Sequence, residues 1–183
     1  MIYPFSLQLV GIVTGLLLVA LHGYALAAPA PTQAFLRALP RSRVWGGILL
    51  VVSAVWAFWL VRTMDLGEFG RLRPAFTVAV PVGAVLAWTY VEEFLAVRTL
   101  GILMLLAADP LLEAAFLRPE VSRLLLVCLA YAWIFAGLFF VGMPYLLRDL
   151  ISWAVARQRH FRPLAVAGVV YGLALLVCAI TLW

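Results

Sequence analysis

Lysine is absent from this 183-residue chain, and charged residues of every kind make up only 11% of it. The first absence excludes Schiff-base and lysine-nucleophile chemistry. The second excludes a water-soluble globule, because a chain this short has too much surface for its volume to hide a 67% hydrophobic composition from water. Cysteine occurs only at Cys128 and Cys178, each within an apolar run and without Cys-x-x-Cys spacing, so buried and inert thiols are expected. Also missing are a Gly-rich phosphate loop, His-Glu-x-x-His, Gly-x-Ser-x-Gly and any paired-Asp motif suited to a metal-dependent lipid transferase. No metal site and no cofactor are therefore expected, and the sequence leans away from an enzyme.

What is present is a series of apolar stretches running from Leu7 to the C-terminus, with a mean hydropathy of +1.12. A bilayer core of roughly 30 Å takes about 20 helical residues to cross, which leaves room for five or six helices and none for a separate soluble domain. The runs do not alternate with period two, and backbone groups in hydrocarbon must be paired within their own segment, so helices are expected and not a barrel. The expected fold is all-α: a polytopic transmembrane helical bundle, one integral membrane domain over residues 1–183. Its six helices are placed at about 6–28, 44–62, 74–91, 94–108, 121–147 and 163–183.

Prolines set most of these boundaries. Pro29, Pro31 and Pro40 end the first helix, Pro74 opens the third, and Pro163 opens the sixth. Asp109-Pro110 closes the fourth and starts a short interfacial helix over 111–117, while Pro144 kinks the fifth. Leu7 to Leu21 followed by Ala25-Leu26-Ala27 imitates a signal peptide, but no basic residue precedes it, so a retained first helix is expected. The boundary after the third helix is unmarked, because Ala84 to Thr99 contains no Gly, Pro, Asn, Asp or Ser. The alternative is therefore five helices plus a re-entrant segment broken at Pro81 and Gly83, with one helix over 84–108 holding Glu92 and Glu93 near mid-membrane.

The net charge is +5, carried entirely by arginine. Its placement in and beside the predicted loops speaks for membrane topology and against nucleic acid. With six helices one side holds Arg37, Arg41, Arg43, Arg98, Arg148, Arg157, Arg159 and Arg162, and the other holds five; with five helices the asymmetry shrinks. Six helices are thus preferred, with the richer side cytoplasmic and the membrane a bacterial-type inner (plasma) membrane.

Intramembrane carboxylates cost about 2.5 to 3.5 kcal/mol each on insertion scales. That singles out Glu92, Glu93, Asp109 and Glu113 as candidate intramembrane or interfacial charges, with Arg98 snorkelling to the headgroups and Arg123 near enough to neutralise Asp109 or Glu113. They read first as helix caps and headgroup-level charges, and second as a proton or cation relay. His22 is the histidine within a predicted span, a candidate haem or quinone contact set against an ordinary packing role. Gly11-x-x-x-Gly15 and Gly168-x-x-x-Gly172 allow close helix approach, within the bundle or with another subunit. Arg148, Arg157, Arg159 and Arg162 form a basic juxtamembrane segment for lipid or partner docking. The expected partners are membrane lipids and other membrane-protein subunits or a second copy. The expected role is a non-catalytic integral membrane subunit or accessory protein, acting through helix packing and a basic cytoplasmic face. The alternatives are a small oligomeric ion- or proton-coupled transporter or channel using Glu92, Glu93 or Asp109, and last a lipid-processing enzyme.

Overall fold

The computed structural model describes residues 3, 5–91 and 93–183, Gln158 by its backbone alone. Among these residues there is no strand, and eight α-helices follow one another: α1 (Leu7–Ala27), α2 (Pro29–Ala38), α3 (Arg43–Thr63), α4 (Arg73–Tyr90), α5 (Leu95–Ala115), α6 (Arg123–Gly142), α7 (Tyr145–Ala156) and α8 (Gln158–Thr181). Short 3-10 turns at Leu39–Arg41 and Gly67–Leu72 lead into α3 and α4. Six of the helices, α1, α3, α4, α5, α6 and α8, are long and apolar enough to cross a membrane. At 1.5 Å per residue, the 21 residues of α1, α3 or α5 give about 31 Å, the thickness of a bilayer core.

Two of the helices, α1 and α3, start on serine caps. Ser6 accepts from the Leu9 N–H at 3.1 Å, and Ser42 accepts from the Trp45 N–H at 3.2 Å, each satisfying a donor that the first turn leaves unpaired. The six-helix expectation holds because the chain breaks at Val91–Phe94 without any turn residue: Phe94 itself takes the left-handed conformation, with φ of 57°. The five-helix alternative is overturned by that break, which leaves Glu93 exposed in the connection; Glu92 lies outside the described residues.

Four boundaries differ from expectation, and each involves proline. Pro29 and Pro31 do not begin a loop but open the ten-residue α2, where a proline in the first turn gives up an N–H that had no partner anyway. Asp109-Pro110 does not close a helix or start a separate one over 111–117. Instead α5 runs through it to Ala115, burying Pro110 with Leu111, Ala114 and Ala115, so packing outweighs the one backbone bond that proline removes. The fifth expected span does not continue to 147 through a kink; α6 ends at Gly142, and Pro144 caps the separate α7. Finally, α8 begins at Gln158 and includes Pro163, because Phe161, buried in the core, needs that extra turn.

Packing follows glycine. The first and last spans form the tightest pair: Gly15 and Gly172 lie backbone to backbone, a Cβ on either meeting the other's carbonyl oxygen at 2.9 Å. Gly11 faces the Trp183 ring, and Gly168 faces His22. The two small-residue motifs are thus spent on each other inside the bundle. A second antiparallel pair, α5 with α6, is built the same way on Gly101 and Gly137, whose absent side chains admit the opposite carbonyls at 2.7 and 2.8 Å. The third contact is parallel, with Gly46 of α3 against Leu95 and Ala96 of α5.

Two apolar cores result. One joins Leu7, Val10 and Leu18 of α1 to Ala108 and Leu111 of α5, Leu126 and Ala130 of α6, and Leu175 of α8. The other gathers Ala25, Val97, Phe161 and Ala165 around Leu147, Ile151 and Val155, the buried stripe of α7. That stripe repeats every four residues, so one face of α7 packs against the core while the other is left open. α4 stands outside both cores, resting on α3 with no buried residue of its own.

Candidate functional site

The charged and polar side chains gather at the two ends of the bundle. One end, the basic end, carries the ends of α1, α4 and α6, the starts of α3, α5 and α8, and the short helices α2 and α7. Eight of the thirteen arginines fall on it with Glu93 and Asp149, while five share the opposite end with Asp65, Glu68, Asp109, Glu113 and Glu120. The surplus positive charge is therefore one-sided.

Much of that arginine is engaged with backbone. Arg98 sends Nη1 to the Val141 carbonyl at the end of α6, at 2.7 Å. Arg123 reaches the Ala115 carbonyl at the end of α5 at 2.9 Å, and Arg73 bonds the Arg62 and Met64 carbonyls at the end of α3 at 3.0 and 2.8 Å. Longer contacts run from Arg37 to Val155 at the end of α7 (3.4 Å) and from Arg43 to Trp88 near the end of α4 (3.5 Å), where Arg43 also lies over the indole. The last four carbonyls of a helix have no intrahelical donor and carry the negative end of its dipole, so a guanidinium satisfies both needs at once. Ala115 has a further reason: the residue four positions on is Pro119, which has no N–H. Neither Arg98 nor Arg123 therefore does what the sequence suggested. Arg98 turns inward, not out to headgroups, leaving its Nε buried without a partner among the described residues. Arg123 caps a helix and makes no ion pair among the described residues.

At the opposite end the carboxylates meet the chain's N-terminal segment. Tyr3 is buried between α3 and α5; its N–H donates to Glu113 Oε2 at 3.0 Å, and its hydroxyl accepts from Trp56 Nε1 at 2.7 Å, with the Trp59 ring 5.4 Å away. Burial pushes the Tyr3 phenol above its ordinary value; the Trp56 bond opposes this, and the negative fields of Asp109 and Glu113 add to the rise. Tyr3 is thus a neutral phenol at physiological pH. Asp109 lies on the exposed surface within the last two turns of α5, one helical turn before Glu113. This arrangement fixes the N-terminal segment to the bundle.

His22 lies against Gly168 in the α1–α8 interface, its Nδ1 2.9 Å from the Leu18 carbonyl. The ring fills the gap that the glycine leaves, which is a packing role. Cys128 is exposed on α6, contrary to the expected burial, and Cys178 is half-buried on α8. Among the described residues no three His, Cys, Asp or Glu side chains come together in a way that could hold a metal. Among the described residues the buried polar side chains are Thr14, Ser53 and Thr99, of which Thr99 donates to the Leu95 carbonyl at 2.8 Å and Ser53 to the Thr99 carbonyl at 3.5 Å. Two shallow grooves open on the outer faces of α3 (Val51, Val52, Val55, Trp56, Trp59) and α4 (Pro81, Val82, Val85, Leu86), both walled by side chains suited to hydrocarbon.

The remaining candidates form one surface. Arg148 pairs with Asp149 at 2.8 Å, and Arg157, Arg159 and Arg162 project outward where α7 meets α8. His160 stacks on Trp153 with ring centroids 4.7 Å apart and so pins the two helices together. The Arg37 bond to Val155, which locks α2 onto α7, and the glycine pair between α5 and α6 carry no sequence motif; only contact across the bundle reveals them. No protein-family model, no curated protein and no solved structure matches this chain.

Proposed function

We propose that this chain is a non-catalytic integral membrane subunit or accessory protein of a larger membrane complex, acting through helix packing and through its arginine-rich face, which we assign to the cytoplasmic side of a bacterial-type inner membrane. The observation that carries this reading is α4: a span with no buried residue, seated on α3, and tied at its two ends by Arg73 and Arg43. Every other span contributes buried residues or lies in the paired interior. A helix held at both ends with its flank open suits an added neighbour. The fate of the polar groups points the same way, because helix caps and the N-terminal tie account for Arg37, Arg73, Arg98, Arg123 and Glu113.

The test is purification from native membranes in gentle detergent, with stoichiometry read on a native gel and partners identified by mass spectrometry. A stoichiometric membrane-protein partner that crosslinks to a photoreactive residue placed at Val82 or Val85 is the expected result. A second reading, a small oligomeric ion- or proton-coupled transporter or channel, draws on the exposed Asp109 carboxyl beside Tyr3. It calls for a homo-oligomer without other subunits and for flux in proteoliposomes that Asp109→Asn abolishes.

A further inference from the structure

We infer that the outer surface of α7 and the first turns of α8 form a docking surface for anionic phospholipid headgroups, with Arg157, Arg159 and Arg162 as the phosphate-facing groups and Trp153 and Leu150 as the apolar anchors. This deepens the reading above by giving the basic face its ligand.

Position makes the first argument. α7 and the α7–α8 junction connect two membrane-length helices, α6 and α8, through a few residues on either side, so the segment is held within a turn or two of both span ends. That is headgroup depth. Burying Leu147, Ile151 and Val155 against Ala25, Val97 and Phe161 fixes which face of α7 turns outward.

Composition makes the second. The outward face of α7 carries half-exposed Leu150 and Trp153, while exposed Arg157 follows at the helix end and Arg159 and Arg162 on α8. An amphipathic helix with arginine beside exposed aromatic and aliphatic side chains matches an interface that is anionic at the surface and apolar just below. Asp149 is already paired with Arg148, whereas Arg157, Arg159 and Arg162 have no ion-pair partner among the described residues. Arg37, Arg43, Arg73, Arg98 and Arg123 are bonded to carbonyls at or near helix ends, whereas Arg157, Arg159 and Arg162 cluster within six residues of one another with their side chains exposed. Their planar guanidinium forks suit phosphate oxygens, and the half-exposed Trp153, held by His160, offers a rigid ring beside them.

The experiment is a titration of the purified chain in neutral detergent with phosphatidylglycerol or phosphatidylcholine, lipid occupancy being read by native mass spectrometry. Phosphatidylglycerol should bind at far lower concentration than phosphatidylcholine. The triple variant Arg157→Gln/Arg159→Gln/Arg162→Gln should raise its half-saturating concentration on the order of a hundred-fold, since each basic residue near an anionic surface contributes roughly a factor of five. Phosphatidylcholine binding should not change. Should the triple variant be unstable, the single variants Arg157→Gln and Arg162→Gln should each show about a fivefold loss. Arg71→Gln/Arg118→Gln, which neutralises two exposed arginines at the other end, should leave the preference intact. Equal binding of the two lipids, a preference that survives the triple variant, or an equal loss on neutralising Arg71 and Arg118 would each overturn the assignment. Lipid preference in a chain that purifies without partners would sustain this inference and defeat the subunit reading, and the converse pair of results would do the opposite.

Discussion

Arg98 shows how a charged side chain in an apolar span is used as a backbone donor. Its Nη1 bond to the Val141 carbonyl ends a helix on which it does not itself lie, and its side chain is half-buried. Replacing it by Gln removes a charge-assisted bond, so Arg98→Gln should cost about 1.5 to 3 kcal/mol, whereas Arg41→Gln, at an exposed arginine, should stay within about 0.5 kcal/mol. Thermal unfolding of the two variants in one detergent checks this; equal losses would mean that the cap contributes nothing. The sequence placed Arg98 near a helix start but could not say which carbonyl it would meet, because that oxygen belongs to a residue 43 positions away. Arg123 was more legible than it was read to be, since Pro119 already marked the Ala115 carbonyl as lacking a donor. Tyr3→Phe is a milder case: losing the hydroxyl leaves Trp56 Nε1 without its acceptor, and a destabilisation of about 1 kcal/mol is expected from the same unfolding measurement.

At the scale of the element, the crossings are set by what the glycines lack. A methyl group on Gly168 would collide with the His22 ring, a side chain that can be removed, while one on Gly172 would meet the Gly15 carbonyl, which cannot. Gly168→Ala and Gly172→Ala should therefore each destabilise by about 1 to 3 kcal/mol, and only the first should be restored by adding His22→Ala. A double-mutant cycle on the unfolding midpoint reads the difference; rescue of both or of neither would contradict the packing. The two motifs of α1 and α8 were visible in the sequence. Gly101 and Gly137 were not, because neither has a second glycine four residues away on its helix and each gains meaning only opposite the other. The same limit explains the boundaries: proline was read as punctuation, yet Pro110 and Pro163 lie inside helices because buried neighbours hold them there, and Phe94 makes a turn that composition does not announce.

For the whole molecule, the six spans and their alternation were legible because hydropathy and length determine them, while the lateral arrangement was not, because lipid-facing and protein-facing apolar surfaces have the same composition. Alternation gives a direct test. In a Cys128→Ala/Cys178→Ala background, Ser152→Cys in α7 and Glu68→Cys in the turn before α4 are both exposed and lie at opposite ends of the bundle. A membrane-impermeant maleimide should label one in intact cells or sealed vesicles and the other only after permeabilisation; labelling of both from one side would refute the six-span arrangement.

The pairing of the first span with the last also has a consequence for biogenesis. About 130 residues separate the end of α1 from the start of α8, and at roughly ten residues per second a ribosome takes on the order of ten seconds to make them. Throughout that interval the glycine face of α1 has no mate, while α5 and α6, adjacent in sequence, can pair as soon as they emerge. The α1–α8 contact can therefore form only after the α5–α6 contact has had time to form. A chain that stops before α8 leaves Gly11, Gly15 and His22 of α1 without the surface they pack against.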